Sequence, residues 1–273
     1  MAAKLGIIAG GGGLPARLAE VCRASGRAVF VLAFEGQTDP ATVAGVDHAW
    51  VRLGQVRPAL EALHGAGVEE LVLIGPVKRP SMNEIGFDLR SAKFMAKVAA
   101  QGLGDDGLLR AAIGALEDEG FTVIGADDIL ADLLAPLGRI GAGRPDAQAE
   151  SDIARGLEVL RALGAVDVGQ AVVVQQGIVL GVEADEGTDG LLARCADLAR
   201  EGPGGVMVKI CKPGQERRVD LPTLGPETVA GAVRAGLRGI AVEAGGSLIV
   251  DRSAVAAAAD AAGIFLIGIA KPA

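Results

Sequence analysis

Aromatic side chains are nearly missing from this chain of 273 residues: they make up 3% of it, with one Trp, six Phe and no Tyr. A core without them has to be assembled from Ala, Val, Leu and Ile, a composition that suits strands buried between helices. The same scarcity, with a net charge of -8, excludes a protein that coats nucleic acid, which presents a basic face carrying stacking aromatics. Histidine is confined to His48 and His64, and cysteine to Cys22, Cys195 and Cys211. Three thiols with no CxxC pair give neither a disulfide framework nor a zinc site, so buried reduced cysteines are expected.

Long apolar runs are also missing. Half the residues are hydrophobic, yet no stretch of 18 apolar residues runs without a charge, and the nearest, Ala254 to Ala270, is broken by Asp260. That stretch reads as an Ala-rich helix over Ser253–Ala262, then Gly263 and a strand over Ile264–Ile269. The N-terminus has one Lys before a short apolar run and four glycines, a poor signal peptide, so a cytoplasmic protein is expected.

What is there is an alternation of short β-rich runs and helical spacings. Leu5–Ala9, Ala28–Phe34, His48–Leu53, Leu71–Gly75 and Phe121–Gly125 read as strands, and Pro15–Ala24, Arg57–His64 and Asp105–Glu119 as helices. The pattern predicts an α/β fold whose N-terminal, Rossmann-like domain is a parallel sheet with helices on both faces. Residues 136–145, PLGRIGAGRP, are dense in Gly and Pro and read as a linker between a first domain over 1–135 and a second over 146–273. The second domain looks mixed α/β. A helix over Asp146–Leu163 precedes strands Ala171–Gln175 and Ile178–Glu183, joined at Gln176-Gly177 as a hairpin. A helix after Thr188, a strand over Val206–Cys211, a helix over Pro226–Ala235 and strands over Gly239–Glu243 and Ser247–Asp251 follow, with Gly245-Gly246 marking another hairpin turn.

Several segments have a chemical reading and a plain one. The run Gly10–Gly13 follows the first strand and precedes a helix opened by Pro15, where bare backbone can approach a phosphate. The plain reading is a tight strand-to-helix turn, and Pro15 occupies the place of the third glycine of GxGxxG, which weakens a nicotinamide-binding reading. Glu35 could contact a ribose, but a solvated carboxylate is expected there. Lys78 and Arg79 follow the fourth strand at the carboxyl edge of the sheet, where they suit a phosphate as well as they suit solvent. Asp105 and Asp106 read as helix caps.

The acids Glu183, Glu186 and Asp189 surround Gly187-Thr188, and capping of the following helix accounts for them on their own. Capping accounts for none of Lys209, Lys212, Gln215, Arg217 and Asp220. The last sits between Val219 and Leu221-Pro222, an acid among apolar neighbours of the kind frequent at active sites. Mixed acids and bases among prolines point to a polyanion and a cation, and hence to phosphoryl chemistry.

Six strings in order, LGIIAGGGGLP at 5–15, GPVKRP at 75–80, GDDGLLR at 104–110, DVGQAVVV at 167–174, VEADEGTDG at 182–190 and KPGQERRVDLPTLGPET at 212–228, span almost the whole chain. Together they resemble the LpxI family, the UDP-2,3-diacylglucosamine diphosphatases of lipid A biosynthesis. The resemblance implies hydrolysis of an acylated UDP-sugar to UMP and 2,3-diacylglucosamine 1-phosphate, with a divalent cation such as Mg²⁺, and catalytic importance for Asp220. Lys209 and Lys212 are then expected on the diphosphate, and Gly11, Gly12, Lys78, Arg79, Thr188, Gln215 and Thr223 against the substrate. Asp220, Glu183, Glu186 and Asp189 are the metal candidates. Peripheral contact with the inner membrane surface, no nucleic acid and a homodimer complete the expectation. A Glu-rich helix of the Nudix type is not seen, and two imidazoles are too few for a histidine-ligated phosphoesterase. The competing readings are a nicotinamide-dependent oxidoreductase and a non-catalytic nucleotide-binding scaffold.

Overall fold

The computed structural model describes residues 2–77, 105–212 and 214–270. It divides into two compact units, Met1–Ala131 with Arg218–Asp220, and Asp132–Arg217 with Leu221–Ala273.

In the first unit, β1 (Leu5–Ala9), β2 (Val29–Phe34), β3 (His48–Val51), β4 (Glu70–Ile74) and β5 (Thr122–Val123) form a sheet in the order β3-β2-β1-β4-β5, every pairing parallel. This is the doubly wound order, with its reversal between β1 and β4. Side chains alternate across a strand, and the packing obeys that period. Phe30 and Leu32 join a cluster with Leu60 and Leu63 of α2 (Val56–Gly65) and Ile113 of α3 (Asp105–Asp118), while α1 (Leu14–Ala24) lies against β1 and β2. His64 stacks on Phe121 with ring centroids 4.6 Å apart, so this imidazole serves packing.

The second unit holds β6 (Gly138–Arg139), α4 (Ala147–Gly164), β7 (Ala171–Gln175), β8 (Ile178–Val182), α5 (Gly187–Ala196), β9 (Val206–Lys209), β10 (Thr223–Leu224), α6 (Pro226–Arg234), β11 (Gly239–Glu243), β12 (Leu248–Ile249), α7 (Arg252–Ala261) and β13 (Phe265–Ile269). Its main sheet has the order β6-β13-β11-β9-β7-β8. The central three strands are parallel, and antiparallel strands flank them on both sides. Val173, Met207, Ile240 and Leu266 face one cluster with residues of α5, α6 and α7. Val172, Val174, Val208 and Ala241 face the other, against Ala149, Ile153 and Leu160 of α4. Burying each such aliphatic side chain contributes about 1.5–3 kcal/mol. Both faces are therefore covered, which explains why β7 reads as an unbroken apolar run.

The turn at Gln176-Gly177 forms as the sequence suggests, with φ of 55° and 77°, and joins β7 to an antiparallel β8. Two other expectations give way. Residues 138–139 of the stretch read as a linker pair with β13, and the stretch lies within the second unit. Two of its glycines answer to close approach: a Cβ on Gly141 would sit 2.6 Å from Asp260 Oδ1 and one on Gly143 2.8 Å from the Phe265 Cα. The hairpin expected at Gly245-Gly246 does not form. β11 already has β9 and β13 on its two edges, so β12 has no edge to join and pairs in parallel with β10.

Candidate functional site

The carboxyl edge of the central strands in the second unit gathers buried charge. Lys209 ends β9 and is 5% exposed. A buried ammonium costs several kcal/mol unless its donors are met. Its Nζ donates to the Thr188 hydroxyl at 2.9 Å and to the Thr223 carbonyl at 3.1 Å. The Thr188 hydroxyl in turn donates to Glu183 Oε1 at 2.7 Å, and Glu183 Oε2 accepts the Gln170 amide at 3.2 Å. Glu183, also 5% exposed, is thus the counter-charge of Lys209 with one hydroxyl between them. From the sequence, Thr188 is expected against the substrate. It stands inside the first turn of α5, whose N-cap position is Glu186, and its hydroxyl joins the two charges.

Four residues singled out from sequence, Glu183, Thr188, Lys209 and Thr223, are therefore brought together. Glu186 turns elsewhere: it pairs with Arg194, which holds its carboxyl below the ordinary Glu range. Asp189 lies exposed in the first turn of α5.

Beyond β9 the chain is tied down repeatedly. Lys212 Nζ pairs with Asp167 at 2.5 Å, and Asp167 holds a φ of 60°, which places its backbone in the left-handed region. The Lys212 amide donates to Gln215 Oε1 at 2.8 Å and the Gln215 amide returns to the Lys212 carbonyl at 3.1 Å, closing a turn around a buried glutamine. Arg217 reaches Glu243 Oε1 at 3.2 Å and the Gly245 carbonyl at 2.8 Å. Glu243, at the end of β11 and 1% exposed, also accepts the Cys211 amide at 3.1 Å. Sequence reasoning missed Glu243. The signal was available in a charged residue closing the buried strand GIAVE.

In the first unit, Arg218 donates to Glu117 at 2.7 Å and to the Val123 carbonyl at 3.3 Å, and Val219 packs against the apolar cluster. Asp220 follows, half-buried, in that same unit. The glycine run packs on the loop after β4. The amides of Gly10 and Gly11 donate to the carbonyls of Ile74 and Pro76, each at 2.8 Å, and a Cβ on Gly10 would sit 2.3 Å from the Gly75 oxygen. Gly12, with φ of 75°, and Gly13, whose Cβ would meet nothing within 4 Å, are the open part of the turn. Glu35 pairs with Arg52 on the surface at 3.0 Å. Lys78 and Arg79 lie outside the described residues.

A preformed carboxylate cage for a cation does not fit this donor set. Among the described residues no group of three or more His, Cys, Asp or Glu side chains converges. Glu183 oxygens are taken by Thr188 and Gln170, and Glu186 by Arg194. What the edge offers is a fixed buried cation, suited to a polyanion at the end of a sheet where α/β folds bind ligands.

Comparison with known proteins gives that ligand a context. Residues 4–133 match the model of the LpxI N-terminal domain and residues 136–267 that of the LpxI C-terminal domain. The chain is also 42% identical to the UDP-2,3-diacylglucosamine pyrophosphatase LpxI of Caulobacter vibrioides, over 97% of each chain. The two domain matches, in order and covering both structural units, place this chain in the LpxI family.

Proposed function

We propose that this protein hydrolyses the diphosphate of UDP-2,3-diacylglucosamine, giving UMP and 2,3-diacylglucosamine 1-phosphate in lipid A biosynthesis. The observation that carries this reading is the identity of 42%, end to end, with a UDP-2,3-diacylglucosamine pyrophosphatase. Cleavage of a phosphoric anhydride requires charge neutralisation on the transferred phosphoryl group and an oriented water. Lys209, held by Thr188 and the Thr223 carbonyl, supplies fixed positive charge for the diphosphate. Lys212 supplies a second charge by exchanging Asp167 for a phosphate oxygen. Asp220 orients the water or holds a divalent cation, Mg²⁺ being the expected one. Because Mg²⁺ keeps few protein ligands, Asp220 with diphosphate oxygens would complete such a site, and the ion would neutralise charge on the phosphoryl group.

The acyl chains of the substrate place the work at the cytoplasmic face of the inner membrane, by peripheral contact. Among the described residues no helix is long and apolar enough to cross a membrane. A homodimer is the expected assembly. The nicotinamide reading has little in its favour, since Pro15 replaces the third glycine and Glu35 is paired with Arg52.

The test is UMP release from UDP-2,3-diacylglucosamine with Mg²⁺, followed by phosphorus NMR for the native protein and for Asp220→Ala. Native turnover with a loss of about 10²–10⁴-fold in the variant is expected. No UMP from the native protein, or equal turnover by both, overturns the reading.

A further inference from the structure

Where the chain enters β7 it runs beside the stretch that leaves β9, and two charges meet there. Ala171 lies opposite Lys209, and the Ile210 amide donates to the Gln170 carbonyl at 3.0 Å, so the two segments stay paired past the end of the sheet. Further out on the same edge, Lys212 Nζ meets Asp167 Oδ1 at 2.5 Å. The backbone is set to deliver that carboxylate. Asp167 has a φ of 60°, its amide donates to the Gly164 carbonyl at 3.1 Å, and the Val168 amide donates to the Leu163 carbonyl at 3.0 Å. Gly169, with φ of 59°, has no room for a side chain, since a Cβ there would overlap the Glu183 carbonyl oxygen. The Gln170 amide then donates to Glu183 Oε2 at 3.2 Å.

A left-handed residue just past a helix is common, but glycine or asparagine is the usual choice. The backbone cost of an acid there is of the order of what a part-exposed ion pair contributes, so stability does not account for Asp167. The exposures of the two partners are unequal, and they say which one can leave. The Lys212 side chain is 11% exposed and that of Asp167 32%. The ammonium stays in the edge, while the carboxylate can turn out into water. An ammonium so placed needs an anion even when no ligand is bound. We propose that Asp167 is the resident anion of Lys212, occupying the ammonium until a phosphate oxygen of the ligand displaces it. It thereby sets the affinity of the anion site, weakening each phosphate ligand that reaches Lys212 by the same factor, and does so without touching substrate. The inference deepens the reading of Lys212 as a diphosphate contact and rests on it.

The probe is methylene-bridged UDP, which carries two phosphorus centres without a hydrolysable bridge, titrated calorimetrically with Mg²⁺ present. Asp167→Asn and Asp167→Gly both suit the left-handed backbone, so they remove the charge and leave the turn intact. Each is expected to tighten the complex about three- to tenfold, the span between an exposed ion pair and a part-buried charged hydrogen bond. Lys212→Met should weaken it, and adding Asp167→Asn to Lys212→Met should change nothing further, because the carboxylate acts through the ammonium. Asp197→Asn, at an exposed acid of the same unit, removes the same charge and should leave the affinity native. In turnover of UDP-2,3-diacylglucosamine the Asp167 variants should lower KM with kcat unchanged, the mark of an effect felt equally in ground and transition states. Unchanged or weaker binding by both Asp167 variants overturns the proposal and leaves Asp167 as a prop for Lys212. So do equal tightening by Asp197→Asn and tightening that survives in Lys212→Met, either of which would show a general effect of charge. If the native protein releases no UMP from UDP-2,3-diacylglucosamine while the analogue binds more tightly as stated, the hydrolase reading fails and the resident anion stands. UMP release with native affinity in the variants gives the reverse.

Discussion

Replacing Thr188 by Val removes one hydroxyl and little volume, yet it takes a partner from each of two buried charges. Lys209 Nζ loses a bond of 2.9 Å and Glu183 Oε1 one of 2.7 Å. Hydrogen bonds to charged groups contribute about 1.5–3 kcal/mol each, and nothing in the Val side chain replaces them. Taking the lower figure for both, since Thr188 is only half-buried, gives a loss of about 3 kcal/mol. Thr188→Ser keeps the hydroxyl and loses one methyl, about 0.8 kcal/mol. For a protein of this size each kcal/mol moves Tm by about 2–4 °C, so Val is expected to lower it by roughly 6–12 °C and Ser by at most about 3 °C. The single Trp, Trp50, lies on β3 in the first unit, so its fluorescence reports the wrong unit and scanning calorimetry is the appropriate assay. Turnover should follow the same order, Ser near native and Val well below it, because the ammonium is aimed through this hydroxyl. Equal Tm for the Val and Ser variants would refute the hydroxyl-bridged ion pair.

Two further outcomes follow from local geometry. The Asp146 carboxyl is held below the ordinary Asp range first by the Ala149 amide at the start of α4 and then by Arg238. A depressed folded-state pKa contributes stability that is present above the unfolded value, about 3.9, and is lost as pH falls through the lower folded one. Asp146→Ala should therefore trail the native protein in urea at pH 7 and draw level with it in acid, whereas a gap independent of pH would contradict this. Gly10→Ala forces a Cβ to within 2.3 Å of the Gly75 oxygen, a backbone atom that cannot rotate away, so a loss of about 1–3 kcal/mol in urea titration is expected. Gly13→Ala, with nothing within 4 Å, should stay within about 0.5 kcal/mol, and equal effects of the two would disprove the packing account.

Much of the fold was legible because its periods are clean. β1, β7 and β11 fall at the residues the sequence suggested, since runs such as LGIIA and AVVVQ are bounded by Gly or by turn residues and have no helical spacing. The misreadings share one cause. A Gly-rich stretch announces an unusual backbone without saying whether it is a free connection, a close approach or a turn: Gly141, Gly143 and Gly246 are close approaches, whereas Gly138 and Gly245 hold positive φ with open space around them. At the candidate site, residue types were legible and partners were not. Glu183 and Lys209 stand 26 positions apart, and only the pairing of β7 with β8 and β9 places them at one edge. The pairing of Glu186 with Arg194 spans eight positions, twice the spacing at which helix neighbours ordinarily meet, so the sequence did not announce that Glu186 is removed from the neighbouring acids.

The signs of the buried charges bear on how an ion and a diphosphate would be accommodated. Across the edge of the second unit lie Glu243 at the end of β11, Lys209 at the end of β9 and Glu183 just past β8, acid, base and acid, all nearly excluded from water. Each acid is already engaged by groups that this chain supplies: Glu243 by Arg217 and the Cys211 amide, Glu183 by Thr188 and the Gln170 amide. Each of these oxygens thus accepts a bond from backbone, from Arg217 or from the hydroxyl that holds Lys209, a preorganisation of the kind that stabilises charge developing on a phosphoryl group at little reorganisation cost. A cation recruited with the substrate would take its oxygens chiefly from the diphosphate. On the proposed reading, substrate and cation then enter as one unit, and the fixed ammonium of Lys209 carries the neutralisation that a carboxylate cage and its metal supply in other phosphohydrolases.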